Sequence, residues 1–267
     1  MRNLSLKKQY IEVRQPDGTF TYGGNQAWLS TEVERSFGCG FIAAADILRY
    51  LRGRSDDSNF EEMSVDVPED IDSSGPGIAK LDSADLDSVN RVAVDSDRMG
   101  SGSLSKQDYL DDIRKLAPDF RVRGKLGITG FGLARRMNRI FRREKLPYRA
   151  KWSVGRKRLE RRLFAMLEAD IPVLLSVGPG FFHKGQHLPL YRRTPEGAYE
   201  RASSMRDHYV TVTGALMIEG SMVPGIGDML RISSWGHEYY INYGEYLDHI
   251  KQYDNFLFSS ILYIRAL

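Results

Sequence analysis

Residues 37–45 read FGCGFIAAA, and this stretch decides how the chain is interpreted. It places Cys39 between two glycines at the start of an apolar segment, which is predicted to be helical over residues 36–52. The free N–H groups and the partial positive charge of a helix N-terminus stabilise a thiolate and lower the pKa of a thiol. The stretch therefore predicts a reactive thiol, and the alternative is a small buried cysteine at the start of a core helix.

Helical patterns dominate the first half of the chain and strand patterns the second. A hairpin is predicted over residues 11–22, around the turn Pro16-Asp17-Gly18. These patterns together predict an α+β fold. Apolar residues at the helical period predict further helices over residues 105–116, 130–142, 157–168 and 243–252. Runs rich in Val, Ile, Leu and Thr predict strands over residues 148–154, 173–177, 208–216, 229–233 and 257–264.

The chain carries a net charge of +3, and this small value conceals a segregation of charge. Residues 55–112 contain 16 acidic and 4 basic side chains, whereas residues 113–166 contain 18 basic and 3 acidic ones. One interpretation is that the two stretches lie close together and partly neutralise each other. The other is that residues 113–166 form a basic surface for phosphates, membranes or an acidic partner. No RNA-recognition motif or zinc finger accompanies the charge, so nucleic acid is not an expected partner.

Residues 55–104 are rich in Ser, Gly and Asp and contain the breaker runs SSGPG at 73–77 and GSG at 100–102. We interpret them as an acidic lobe or mobile loop inserted into a single domain that spans residues 1–267. Such a composition buries little apolar surface to offset an ordering entropy of about 1–2 kcal/mol per residue. Limited proteolysis is therefore expected to cut first within this segment.

The composition favours a cytoplasmic protein. Cys39 is the only cysteine, so an internal disulfide is impossible and a reducing compartment is favoured. No apolar run approaches the roughly 20 residues that span a bilayer, and the N-terminal residues lack the apolar stretch of a signal peptide. No nucleotide-binding glycine motif or complete metal-ligand pattern is present, so we expect neither a cofactor nor a metal.

Two further motifs lie in the strand-rich half of the chain. Residues 207–214, DHYVTVTG, place His208 at the start of a buried strand. Residues 230–236, LRISSWG, form a strand pattern that ends in a Trp-Gly turn. Taken separately, the histidine is typical of a structural hydrogen-bonding group and the tryptophan of a packing side chain. Their order after Cys39 changes this interpretation.

The order of these three motifs resembles that of the papain-like cysteine peptidases. In that family a cysteine begins a helix, a histidine follows far downstream, and an asparagine orients the histidine. Here His208 follows Cys39 by 169 residues, and the chain is most similar to the bacterial branch that includes the double-glycine, bacteriocin-processing peptidases. The resemblance implies a papain-like fold, in which an N-terminal helical part with the cysteine at a helix start packs against a C-terminal antiparallel sheet. It also implies a thiol hydrolase of peptide or isopeptide bonds, with a peptide or protein as substrate.

The resemblance assigns roles to four residues. Cys39 would be the nucleophile, and His208 would be its base and later the general acid. Ser233 occupies the place of the family's asparagine, which predicts that its hydroxyl points at the imidazole and that Trp235 covers the pair. Gln26 would be the oxyanion donor, although it precedes the cysteine by about twice the family's usual spacing.

Two other functions fit the same residues. An acyltransferase would form the same thioester and pass the acyl group to an amine instead of water. A non-catalytic papain-like module would hold a peptide tail in its groove. The serine at the asparagine position favours this module, whereas the intact Cys39 and His208 argue against it. Thiol reactivity discriminates between the classes, because an activated thiolate is alkylated near neutral pH much faster than a free cysteine.

Overall fold

The computed structural model describes residues 2–55, 104–121, 127–178, 186–217 and 228–267. Every helix and strand predicted from the sequence has a counterpart there, within a few residues at each end. The helices of these ranges are α1 (Glu32–Phe37), α2 (Cys39–Ser55), α3 (Lys106–Leu116), α4 (Gly130–Arg143), α5 (Arg156–Glu168) and α6 (Tyr243–Tyr253). The strands are β1 (Arg2–Ser5), β2 (Glu12–Arg14), β3 (Phe20–Tyr22), β4 (Leu104–Ser105), β5 (Tyr148–Trp152), β6 (Val173–Val177), β7 (Leu188–Arg193), β8 (Tyr199–Met205), β9 (His208–Met217), β10 (Met229–Ser234), β11 (His237–Asn242) and β12 (Ile261–Ala266).

Helix α2 begins at the cysteine rather than three residues before it. Thr31 and Glu34 form a capping box that starts the preceding helix α1, which ends at Phe37. Gly38 then separates the two helices and is packed so closely that a Cβ atom there would lie 2.3 Å from the Glu34 carbonyl oxygen. Cys39 consequently occupies the N-terminal position of a helix of 17 residues.

Antiparallel strands form the larger of two sheets. Within the described residues its order is β5-β12-β6-β9-β10-β11-β7-β8, and β1 pairs with β9 beside this path. A smaller sheet has the order β3-β2-β4. The sequence did not predict the hairpin β7–β8, because the exposed polar side chains of β8 obscure the alternation that marks a strand. The helices and this antiparallel sheet confirm the α+β class.

The core lies between the large sheet and the helices that pack on it. Helix α2 packs along β9, and helix α5 packs on β12 and β6. The apolar side of α2 buries Phe41, Leu48 and Leu51, and burying such a side chain contributes about 1.5–3 kcal/mol. A Cβ atom at Gly40 would lie 3.0 Å from the ring of Tyr209. The first turn of α2 therefore meets the first residues of β9.

Met1–Asp56 and Ser103–Leu267 belong to one compact unit. The second unit, Asp57–Gly102, lies outside the described residues. The inserted acidic lobe and its sensitivity to proteases therefore stay predictions. No helix in the described ranges is both long and apolar enough to cross a membrane.

Candidate functional site

A small pocket, with a cavity volume of about 20 Å³, brings together side chains that are far apart in the sequence. It lies where the first turn of α2 meets the start of β9 and the end of β10. The four residues predicted from the sequence, Gln26, Cys39, His208 and Ser233, all line it. The other lining residues are Gly24, Ile42, Ala43, Asp46, Tyr209, Thr211, Ser234 and Trp235.

Cys39 is the first residue of α2 and is half-buried. Burial raises the pKa of its thiol, and the carboxylate of Asp207 acts in the same direction. Hydrogen bonding of the sulfur to the backbone at Tyr209, Gly40 and Cys39 itself opposes this shift. The net shift is upward, so the thiol is protonated near neutral pH, contrary to the expectation of a lowered pKa. The sequence shows the helix N-terminus but not the desolvation that outweighs it.

His208 is the first residue of β9 and is 7% exposed. Its Nε2 atom lies 2.9 Å from Ser234 Oγ. The indole of Trp235 stacks on the imidazole with 4.5 Å between the ring centroids and 24° between the planes, as expected for a residue that covers this ring. Burial lowers the pKa of His208 to about 4. The ring is therefore neutral at physiological pH and is held by two neighbouring side chains.

The expected hydrogen bond between Ser233 and His208 is not formed. Ser233 Oγ donates instead to the Tyr22 carbonyl oxygen at 2.7 Å, and Ser234 takes its place beside the ring. Strand geometry explains the difference, because side chains alternate between the two faces of a sheet. Ser233 pairs with Thr211, which is three residues from the histidine and thus on the opposite face. The next residue of β10 shares the face of the histidine.

Gln26 begins a short 3-10 helix, Gln26–Trp28, which Asn25 caps. The Nε2 atom of Gln26 donates to the Arg35 carbonyl oxygen at 2.8 Å, and this bond uses one of its two N–H groups. The side chain of Asn25 donates to the Trp235 carbonyl oxygen at 2.8 Å. The turn that carries the predicted oxyanion donor is thus tied to the residue that covers the imidazole.

Asp46 also lines the pocket, although the sequence motifs did not predict it. It lies two turns into α2 and is 1% exposed. Its carboxylate accepts hydrogen bonds from the Tyr109 hydroxyl at 2.7 Å, the Tyr10 hydroxyl at 3.1 Å and the Gly24 N–H at 3.1 Å. Burial raises the pKa of this carboxyl to about 6, although the three hydrogen bonds act against the shift. The one signal in the sequence is that Asp46 is the sole acidic residue of α2.

Gly23 precedes the lining residue Gly24 and packs against two other residues of the pocket. Its φ is 76°, and a Cβ atom there would lie 2.3 Å from Ser233 Oγ and 2.7 Å from Asp46 Oδ2. Only glycine fits both the left-handed backbone and these short distances. The segment that leads to Gln26 is therefore fixed against α2 and β10.

The pocket thus holds a protonated thiol and a neutral imidazole at a helix N-terminus, and such a thiol becomes a nucleophile only when a base removes its proton. No group of three or more His, Cys, Asp or Glu side chains in the described part of the chain is placed to hold a metal ion.

Comparisons with protein-family models, curated proteins and solved structures gave no match for the chain.

Proposed function

We propose that the chain is a papain-like thiol hydrolase that cleaves peptide or isopeptide bonds. The observation that carries this proposal is the meeting of Cys39 and His208, which are 169 residues apart in the sequence, in one pocket at a helix N-terminus. Ser234 and Trp235 support it, because they fix the orientation of the imidazole. A peptide or protein is the proposed substrate and the cytoplasm the proposed compartment.

The thiol and the imidazole start as a neutral pair. With Nε2 donating to Ser234 Oγ, the Nδ1 atom of His208 carries the lone pair that accepts the thiol proton. As the proton moves to Nδ1, Cys39 Sγ attacks the substrate carbonyl carbon and the carbonyl electron pair moves to oxygen. The imidazolium then gives its proton to the leaving amine, and the C–N bond breaks to leave a thioester on Cys39. Water, deprotonated by the same ring, then attacks the thioester carbonyl carbon. The C–S bond breaks to release the carboxylic acid, and the ring returns the proton to Cys39 Sγ.

Two donors are proposed for the oxyanion of the tetrahedral intermediate. The first is the backbone N–H of Cys39 at the N-terminus of α2, where the helix dipole also favours negative charge. The second is the side-chain amide of Gln26, which lines the pocket and keeps one N–H beyond its bond to the Arg35 carbonyl oxygen. A donor aimed at the oxyanion contributes roughly 3–4 kcal/mol of barrier reduction.

A non-catalytic peptide-binding module is the second candidate. The raised pKa of the Cys39 thiol and the lowered pKa of His208 favour it, because they describe two neutral groups rather than an ion pair. Such a module would retain a peptide without cleaving it. A hydrolase with a neutral pair, in contrast, depends on His208 as a general base during the attack.

Cleavage of a complex peptide library, read by mass spectrometry, tests the proposal. We expect new termini with the wild-type protein and none with Cys39→Ala or His208→Gln. His187→Gln is the matched control, since this exposed histidine contacts Ser204 at 3.3 Å and does not line the pocket. Equal cleavage by the wild-type protein and Cys39→Ala would contradict a thiol hydrolase.

The same experiment separates the alternatives. Products joined to an added amine, in place of free acids, would indicate an acyltransferase that uses the same thioester. Peptides retained by both the wild-type protein and Cys39→Ala, with no new termini, would indicate a binding module.

A further inference from the structure

A group of basic side chains lies together on β5, β12 and α5, and none of them lines the pocket. Along β5 the residues alternate between buried and exposed, and Arg149 and Lys151 are the exposed ones. On the neighbouring strand, Arg265 pairs with Arg149 and Tyr263 pairs with Lys151. Directly opposed residues of antiparallel strands share a face. These four side chains therefore lie on one face of the sheet.

Helix α5 adds two further cations to this face. The guanidinium of Arg162 lies over the ring of Tyr263, with 4.4 Å from Cζ to the ring centroid. Arg158 lies one turn earlier on the same side of the helix and is exposed. We call the resulting set the basic face. It comprises Arg149, Lys151, Arg158, Arg162 and Arg265.

Positive charge on the basic face is not neutralised by the described residues. None of its five side chains forms an ion pair among the ranges that the structure describes. Arg149 and Arg265 are directly opposed across the strand pair, an arrangement of like charges that destabilises a sheet. Glu160 of α5 lies about 200° around the helix from Arg162 and interacts with Tyr243 instead.

Protection of a sheet edge does not account for the basic face. Strand β5 lies at one edge of the described sheet, and charged side chains often keep such an edge from pairing with another chain. Here Asn138 already satisfies the central residue of that edge, because its side chain accepts from the Ala150 N–H at 2.8 Å and donates to the Ala150 carbonyl oxygen at 2.7 Å. Moreover, Arg265 lies on an inner strand and Arg162 on a helix.

We propose that the basic face binds an acidic segment of a partner polypeptide in an extended conformation. Alternate residues of a strand are about 6.6–6.8 Å apart, so carboxylates at alternate positions of an extended peptide match the spacing of Arg149 and Lys151. Arginine is also suited to bidentate contact with carboxylates. This proposal concerns binding alone and does not depend on thiol chemistry.

Two other anionic partners fit the basic face less well. Single-stranded nucleic acid binds where aromatic rings are open for base stacking, whereas Arg162 covers the ring of Tyr263. An anionic membrane is bound most strongly where apolar side chains accompany the cations. Opposite Lys151, this face presents the half-buried ring of Tyr263.

Fluorescence anisotropy with a fluorescein-labelled peptide of alternating glutamate and serine tests the proposal. The variant is the full chain with Arg149→Glu and Arg265→Glu. The matched control carries Arg193→Glu and Arg201→Glu on β7 and β8, which are exposed and change the net charge equally. We expect the variant to raise the dissociation constant at least about tenfold, the control to leave it unchanged, and added salt to weaken binding.

Folding and partner class are checked in the same series. A second variant, Arg149→Gln with Arg265→Gln, keeps the proposal testable if charge reversal disturbs folding, which circular dichroism reports. Two results would overturn the proposal. One is an equal loss of peptide affinity in the basic-face variants and in the control, and the other is no binding of the peptide by the wild-type protein. Tighter binding of oligothymidylate or of phosphatidylserine vesicles than of the peptide would overturn the choice of a polypeptide partner.

Discussion

His208 Nε2 and Ser234 Oγ are 2.9 Å apart, and this contact holds the imidazole that lines one pocket with the Cys39 thiol. The tryptophan that follows, Trp235, stacks on the same ring. Two consecutive residues at the end of β10 thus hold the histidine that begins β9. Because the ring is buried and neutral, its orientation depends on this contact rather than on an ion pair.

Ser234→Ala is expected to slow acylation of Cys39 by an activated ester. In the tautomer of the proposed mechanism Nε2 carries the proton, so removing the hydroxyl leaves a buried ring N–H without a partner, at a cost of about 1–3 kcal/mol. If this cost appears entirely in the barrier, the rate falls roughly five- to 150-fold. Ser234→Thr keeps the hydroxyl and should restore most of the rate.

Ser233→Ala is the matched control for Ser234→Ala. The Ser233 hydroxyl donates to the Tyr22 carbonyl oxygen, so we expect Ser233→Ala to lose about 1 kcal/mol in the free energy of unfolding. The acylation rate should change by less than about threefold. A larger loss of rate in Ser233→Ala than in Ser234→Ala would return the orienting role to Ser233.

Gly23→Ala is expected to destabilise the protein and to disturb the pocket. The added Cβ atom would lie 2.3 Å from Ser233 Oγ, and the positive φ of 76° adds strain of about 1–2 kcal/mol. Gly18→Ala is the matched control, because its φ is 85° but a Cβ atom there meets nothing within 4 Å. Chemical denaturation should give a clearly larger loss in the free energy of unfolding for Gly23→Ala than for Gly18→Ala. Equal losses would show that the residues around Gly23 accommodate the added Cβ atom without further destabilisation.

His208 and Asp46 are expected to have opposite effects on stability between about pH 4 and pH 6. The pKa of His208 is about 4 in the folded protein against an ordinary value of 6.5, so the unfolded chain binds more protons and stability rises with pH. The pKa of Asp46 is about 6 against 3.8, so the folded protein binds more protons. Its stabilising contribution is present below pH 3.8 and is lost as the pH rises through about 6.

Thermal unfolding of two variants across this pH range separates the two contributions. Relative to the wild-type protein, His208→Gln should lose stability as the pH rises, with a slope of at most about 1.4 kcal/mol per pH unit. Asp46→Asn should gain stability over the same range. Parallel profiles for all three proteins would contradict the two pKa shifts.

The sequence predicts the elements that carry the thiol and the imidazole, because helical and strand periodicities are local properties. It does not predict which serine faces the ring. The register between β10 and β9 shifts between Arg231 and Ile232, and a shift of one residue exchanges the two faces of a strand. That shift depends on pairing with a distant strand, so the motif Ser-Ser-Trp-Gly alone could not assign the contact to Ser234.

The charge states of the site could not be predicted from the sequence either. A helix N-terminus is visible in the residues around Cys39, whereas desolvation depends on Tyr209 and other groups that the fold brings in from far away. Asp46 was missed for the same reason, since its hydrogen-bond donors Tyr10, Gly24 and Tyr109 come from three separate segments. Burial is a property of the fold rather than of the motif.

The pH dependence of Cys39 acylation by para-nitrophenyl acetate tests the central claim, that His208 acts as general base toward the thiol. Because Cys39 is the only cysteine, a thioester adduct found by mass spectrometry identifies the nucleophile. In the wild-type protein we predict a rate that is independent of pH between about 5.5 and 7.5, above the pKa of the imidazole and below that of the thiol. In His208→Gln the plateau should vanish, and the rate should rise about tenfold per pH unit with the thiolate fraction. The same rising profile in both proteins would contradict the assignment of His208 as the base.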